Sequence, residues 1–246
     1  YVVGIEAPPE LARTPLMPIA LFSDPSAAQA KSWENQIEDG TGVDNWKRAG
    51  AGFVAGADGL LEMTVTIGSD AYAKADPMGQ AKGQKFDANV NAALLQIGKV
   101  PGMAEFCVQV ENGVSKQDLL DFGRPFVLAP PSNELLVPGT LLGPDPSSAD
   151  FIDLATCLTS LQTSGAARIW PLYSGFDVDG NVIVNGFVAA RIVTVEVVND
   201  GVEVLRLTLQ PTLLSSPTTV TDPTRETPPG ARPILNPYVT RVRMVR

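Results

Sequence analysis

The C-terminal third of the chain carries the pattern that most restricts the fold. Residues 182–198 are mostly apolar and β-branched, and they lie between two turn signals at 177–181 and 199–201. An Asp-Gly pair between two apolar runs is typical of a tight hairpin. In the next run, 202–209, leucines alternate with polar side chains, which indicates a half-buried strand. Residues 168–209, with Pro171 breaking or bordering the first strand, therefore predict three strands of an antiparallel meander.

The middle strand of this meander is expected to lie inside a sheet. One of its faces is predicted to carry Phe187, Ala189, Val193, Val195 and Val197, and the other Ile192 and Val198. Apolar residues on both faces are typical of a strand that is covered on both sides.

The rest of the chain predicts helices and further strands. Alternation predicts a strand at 61–67, Pro18 makes 16–22 at best an edge strand, and 41–59 is interpreted as a loop. Helical spacing predicts four short helices, which begin at Asp24, Asp87, Ser115 and Ser147 and end at glycines. The 22 glycines and 21 prolines favour many turns and short strands.

Together these elements predict an α+β fold with a predominantly antiparallel sheet, a C-terminal β-meander and three or four short helices. Residues 239–245 would add a last strand. We expect one domain over residues 1–246. Six prolines make 124–149 a candidate boundary, so a second domain beginning near Ser147 is the alternative.

The chain has no histidine, and this restricts its chemistry more than any motif does. Triads that use a histidine base, histidine-ligated zinc and the facial iron triad are excluded. Carboxylate and Ser-Lys chemistry remain available. Candidates for a glycosidase-type carboxylate pair are Glu34, Asp44, Glu62, Glu196 and Glu203. Glu196 lies among apolar strand residues, but pairing with Arg191 or Arg206, or exposure to solvent, is the simpler interpretation. We expect no enzymatic activity.

Two other patterns suggest a binding module. Asp177, Asp179 and Asn181 alternate in a loop and could hold calcium, although a plain hairpin turn explains the same residues. Trp33, Trp46 and Trp170 could stack on a sugar, although scattered tryptophans more often anchor a core. No other cofactor is expected.

Cys107 and Cys157 are the two cysteines of the chain, and two interpretations are open. They form either one disulfide in an oxidising compartment or two buried thiols. Two cysteines without histidine cannot build a cysteine-based zinc site.

The net charge of −9 makes nucleic acid a poor candidate partner, because an acidic surface repels phosphate. Arg241, Arg243 and Arg246 form the only basic cluster. The chain contains no apolar run long enough to span a membrane. Because it begins at Tyr1, we expect that a signal peptide or anchor precedes it.

Residues 168–173, Arg-Ile-Trp-Pro-Leu-Tyr, and 184–193, Val-Asn-Gly-Phe-Val-Ala-Ala-Arg-Ile-Val, resemble the end of TadG-like proteins of the tight-adherence (Flp) pilus system. Residues 16–20, Leu-Met-Pro-Ile-Ala, are similar to the apolar entry strand of that family, and residues 96–120 to its Pro-Gly turn and following helix. Only 168–193 is a close match. The anchor helix and the metal motif of longer members are not in this sequence.

The resemblance implies an extracytoplasmic domain, periplasmic or on the cell surface, that is tethered by an N-terminal helix and acts in pilus assembly or secretion. Its partners would be other pilus-assembly or cell-envelope proteins. No catalytic residue is implied. The alternatives are a secreted carbohydrate- or calcium-binding module and a carboxylate-based hydrolase.

Overall fold

The structure is a computed structural model. It describes residues 2–5, 13–23, 32–38, 41–68, 91–95, 97–98, 103–121, 135–136, 148–176, 182–199, 203–217, 219–221 and 239–240. The described residues contain four helices: Trp33–Glu38 (α1), Met103–Asn112 (α2), Lys116–Asp121 (α3) and Ser148–Ser164 (α4).

Strands make up most of the remainder of the described chain. They are Val2–Ile5 (β1), Arg13–Thr14 (β2), Ile19–Phe22 (β3), Trp46–Ala49 (β4), Gly52–Ala55 (β5), Met63–Gly68 (β6), Ala92–Leu94 (β7), Val114–Ser115 (β8), Leu135–Leu136 (β9), Arg168–Phe176 (β10), Val182–Asn199 (β11), Glu203–Pro211 (β12), Leu214–Ser215 (β13), Thr219–Thr221 (β14) and Val239–Thr240 (β15).

A seven-stranded sheet forms the centre of the molecule. Its strand order is β6-β12-β11-β10-β3-β7, and β9 adds a short pairing to β11. Consecutive strands β10, β11 and β12 are antiparallel, as is β12 with β6, whereas β3 runs parallel to β10. The predicted α+β class, the mostly antiparallel sheet and the C-terminal meander are therefore confirmed.

The long strand β11 lies inside the sheet as predicted, but the predicted assignment of its faces is wrong. Its pairing with β12 shifts between Ile192 and Thr194, which makes Val193 an extra residue in the ladder. As a result, Ile192 and Val195 contact the same core cluster, while Phe187 and Ala189 belong to the cluster on the other side of the sheet. A one-residue bulge exchanges the two faces, and strict alternation cannot show it.

Strand β3 was predicted to be an edge strand, and this was wrong. It lies between β10 and β7, and Pro18 comes just before its first residue.

The predicted helix from Asp87 to Gly98 was also wrong where the structure describes it, because Ala92–Leu94 is strand β7. Ala92 and Leu94 contact one core cluster, and Ala93 and Leu95 the other. A short strand buried on both faces has a continuous apolar run that resembles a buried helix.

Strand β10 is continuous through Pro171, although that residue was expected to break or border it. Pro171 is paired with Phe187 of β11. On the other side, β10 meets the β3 segment at Ile169, through a bridge to Leu16, and again from Leu172 onward. Proline, which has no N–H to donate, is therefore placed between two contacts with its parallel neighbour.

Helices α2 and α4 cover one face of the sheet. Phe106 and Val110 of α2 and Leu154, Leu158 and Leu161 of α4 belong to the larger core cluster, together with the inward residues of β6 and β12. The i, i+4, i+7 spacing in α4 produced this buried stripe, as predicted. Helix α3 begins with the predicted capping box: Ser115 N donates to Asp118 Oδ2 at 2.8 Å, and Asp118 N donates to Ser115 Oγ at 3.1 Å.

The C-terminal end of α2 is capped from two sides. Gly113 takes a positive φ of 83°, and a Cβ at this position would lie 2.2 Å from Thr14 O, so only glycine fits. Arg13 Nη1 donates to Gly113 O at 2.7 Å, and Arg168 Nε donates to Val110 O at 3.0 Å. Arg168 Nη2 also donates to the carbonyl of Glu111. The arginines satisfy helix-end carbonyls that would otherwise lack partners.

Elements from both sides of 124–149 pair within the same sheet. Strand β6 pairs with β12 and β3 pairs with β10 across that stretch of sequence. Most of 124–149 lies outside the described residues.

The predicted last strand is described only at Val239–Thr240, which pairs in parallel with β13 in a separate two-stranded sheet. No helix in the described part of the chain is both long and apolar enough to cross a membrane.

Candidate functional site

Three carboxylates meet beside the hairpin formed by β4 and β5. The prediction of a loop over 41–59 was wrong for this part, because Trp46–Ala49 and Gly52–Ala55 pair around a turn at Gly50 and Ala51. One carboxylate oxygen from each of Asp44, Asp58 and Glu62 lies within 4.8 Å of the other two. Asp44 precedes the hairpin, Asp58 follows it, and Glu62 comes just before β6. We call this group the acidic cluster.

The two aspartates fix the loop that follows the hairpin. Asp44 Oδ1 accepts a hydrogen bond from Asp58 N at 3.0 Å, and Asp44 Oδ2 accepts one from Gly59 N at 2.9 Å. Asp58 Oδ1 accepts one from Leu60 N at 3.0 Å. Side chains that accept nearby backbone N–H groups in this way are typical of structural turns.

Glu62 is the buried member of the acidic cluster, with 4% of its surface exposed. Its Oε2 accepts from Asn45 N at 2.6 Å, and its Oε1 accepts from Trp46 N at 3.3 Å. Burial raises the pKa of Glu62 above its ordinary value of 4.5, and the neighbouring charge of Asp44 raises it further. The hydrogen bonds from Asn45, Gln210 and Trp46 act in the opposite direction.

Gln210 of β12 joins the acidic cluster to the main sheet. Its Nε2 lies 3.0 Å from Asp58 Oδ2, 3.2 Å from Glu62 Oε1 and 3.4 Å from the carbonyl oxygen of Trp46. Gln210 is 1% exposed. The amide nitrogen has two N–H groups to donate, and two of the three oxygens within its reach are carboxylate oxygens of the acidic cluster.

Arg191 lies near the acidic cluster, and Arg48 lies near Arg191. Arg191 of β11 is paired with Gln210 across the sheet, and Arg48 Nη1 of β4 donates to the carbonyl of Gly165 at 3.0 Å. The pKa of Arg191 is lowered by burial and by the charge of Arg48, while Asp58 acts to raise it. The buried Nε of Arg191 makes no hydrogen bond within the described residues. Arg191 therefore carries its positive charge near Asp58.

This arrangement supports a structural role better than acid–base catalysis. Carboxylate oxygens are suitable calcium ligands. Within the part of the chain that the structure describes, the acidic cluster is the group of side chains that could hold a cation. However, all three carboxylates already accept backbone N–H groups, and Gln210 Nε2 donates to two of them, Asp58 and Glu62. Glu62 is buried, so only Asp44 and Asp58 of the three present carboxylate surface to solvent. The hydrogen bonds fasten the β4–β5 hairpin to β6 and β12.

Among the predicted carboxylate candidates whose side chains the structure describes, Asp44 and Glu62 lie together. Glu196 is exposed on β11 and is paired with Arg206 across the sheet, which agrees with its simpler interpretation. Glu34 lies elsewhere, on α1, where it accepts a hydrogen bond from Ser23 Oγ. Glu203 is the first residue of β12, and its backbone pairs with Asn199.

The other predicted ligand groups were a calcium loop and a tryptophan platform. Asp177, Asp179 and Asn181 lie outside the described residues. Trp33 and Trp170 are 4% and 0% exposed, so they cannot stack on a sugar at the surface. Trp170 donates its indole N–H to the carbonyl of Ala190 at 3.2 Å, and Trp46 is half-buried. The tryptophans therefore anchor the core and the hairpin.

Cys107 of α2 and Cys157 of α4 are bonded to each other in the structure. Their Cα atoms are 5.3 Å apart, and the bond closes a chain segment with a sequence separation of 50. Cys157 is 4% exposed and packs within the larger core cluster. In the chain-entropy model, a loop of this length stabilises the fold by about 4 kcal/mol.

Sequence reasoning missed Asp58 and Gln210. Asp58 lies in an Asp-Gly pair, which also marks an ordinary turn, and Gln210 is separated from Glu62 by 148 residues. The spacing of Asp44, Asp58 and Glu62 follows no metal-binding pattern. The length of the intervening hairpin brings them together, and that hairpin was itself predicted to be a loop.

Comparison with known proteins adds no assignment: no family model, no curated protein and no solved structure matches this chain.

Proposed function

We propose that this chain is a non-enzymatic, extracytoplasmic component of a pilus-assembly or secretion machinery, similar to TadG-like proteins. Its role is to hold shape and to contact other proteins of the cell envelope. The proposal rests on the resemblance of 168–193 and on how the structure uses the segments that carry it.

The observation that carries the proposal is the adjacency of three segments that bear the resemblance. Residues 16–20 lead into β3, 168–173 lie in β10 and 184–193 lie in β11, and these three strands are neighbours in the sheet. Met17 N donates to the carbonyl of Ile169 at 2.7 Å, and Ile169 N donates to the carbonyl of Pro15 at 2.7 Å. Segments far apart in sequence therefore form one structural unit.

Several side chains of these segments stabilise the fold. Arg168 caps α2, Trp170 binds the carbonyl of Ala190, and the ring of Tyr173 meets that of Phe22 edge to face at 5.5 Å. Burial lowers the pKa of Arg168, whose hydrogen bonds go to backbone carbonyls. A motif that maintains a fold in this way supports a scaffold role rather than a catalytic one.

The disulfide supports the extracytoplasmic part of the proposal. Disulfides persist in the periplasm and at the cell surface, whereas cytosolic thiols are generally kept reduced. A bond that joins two core-packed helices is of the stabilising kind expected in such compartments.

The experiment is deletion of the encoding gene in the organism that carries it, followed by electron microscopy of surface pili. We expect pili to be lost, and the intact gene to restore them. Two variant genes test whether pilus formation depends on the fold of this chain. Arg206→Met changes an exposed side chain, whereas Arg168→Met removes the cap on α2. Restoration by the first and not by the second supports the proposal. A deletion strain with normal pili would overturn it.

A further inference from the structure

We draw no further inference here: the strongest candidate, the cluster of Asp44, Asp58 and Glu62 beside the β4–β5 hairpin, belongs to the site already described, and no second observation in the described part of the chain points to a ligand for it.

Discussion

Asn91 Oδ1 accepts the backbone N–H of Thr66 at 2.7 Å, and this bond joins the two outer strands of the main sheet. The same side chain donates through Nδ2 to the carbonyl of Thr64 at 2.9 Å, and Asn91 N donates to the carbonyl of Thr66 at 3.2 Å. Asn91 immediately precedes β7, whereas Thr64 and Thr66 lie on β6. One buried side chain therefore provides the hydrogen bonds that a neighbouring strand would provide.

Gln36 of α1 also forms hydrogen bonds with the outer side of β6, and we call this pairing of β6 by Asn91 and Gln36 the sheet closure. Its Oε1 accepts from Thr64 N at 2.7 Å, and its Nε2 donates to the carbonyl of Thr64 at 3.1 Å. Asn91 and Gln36 are each 3% exposed. Together they satisfy backbone groups along the outer side of β6, which would otherwise be an open edge.

Replacement of Asn91 by aspartate is expected to destabilise the protein. The variant keeps the size of the side chain but removes the donor to Thr64 and buries a charge, so we expect a loss of about 2–4 kcal/mol in the free energy of unfolding. Urea denaturation followed by circular dichroism measures it. Asn112→Asp, at the exposed end of α2, is the control and should cost less than about 1 kcal/mol. Equal stability of the two variants would contradict the closure role of Asn91.

Arg168→Met is expected to cost about 2–3 kcal/mol, because it leaves two carbonyls at the end of α2 without their charged donor. Thermal unfolding measures the loss. Arg206→Met provides the control, since Arg206 is exposed on β12 and its removal should cost about 1 kcal/mol or less. If hydrogen exchange showed α2 equally protected in Arg168→Met and in the original protein, the capping interpretation would be wrong.

Glu62 should give the protein a specific pH dependence. Because its pKa is raised in the folded state, the folded protein binds its proton more tightly than the unfolded chain does. The resulting stabilisation is fully present below the ordinary value of 4.5 and is lost as pH rises through the raised pKa. The difference in unfolding free energy between the original protein and Glu62→Gln should therefore shrink or reverse as pH rises.

Urea denaturation at intervals between about pH 4 and pH 8 measures this difference. Glu196→Gln is the control, because Glu196 is exposed on β11. If the difference in unfolding free energy between the original protein and Glu62→Gln did not change with pH, the pKa of Glu62 would not be raised by burial.

Calcium is expected to leave the melting temperature unchanged at millimolar concentrations, because Gln210 Nε2 already donates into the acidic cluster. Differential scanning calorimetry with and without the ion measures this. Asp58→Asn is the matched variant, since it removes one carboxylate of the three. A calcium-induced rise in melting temperature that Asp58→Asn abolishes would show that the ion displaces the amide, and it would favour the calcium-binding alternative.

Local patterns predicted those elements whose contacts are local or regular. The alternation of Leu205, Leu207 and Leu209 gave the buried face of β12, and the spacing of Ser115 and Asp118 gave the start of α3. In both cases the periodicity of the element or one turn of helix contains the necessary information.

The features that could not be predicted depend on contacts distant in sequence or on irregular geometry. The bulge at Val193 follows from the pairing of β11 with β12, and the interior position of β3 follows from its pairing with β10 and β7. The acidic cluster needs Gln210 from another strand, and sheet closure needs Asn91. Neither polar residue differs in local sequence from an ordinary surface residue.

If this chain is a disulfide-bonded scaffold outside the cytosol, as proposed, Cys107 and Cys157 must be oxidised in living cells. Cells that express the full gene are quenched in acid, and the denatured protein is treated with a maleimide polymer before and after reduction. We expect Cys107 and Cys157 to be unlabelled before reduction and both to carry the polymer after it, with Cys107→Ser/Cys157→Ser as the control that identifies their share of the gel shift. Labelling of both thiols without prior reduction would show that the bond does not form in cells, and the proposed extracytoplasmic scaffold would be wrong.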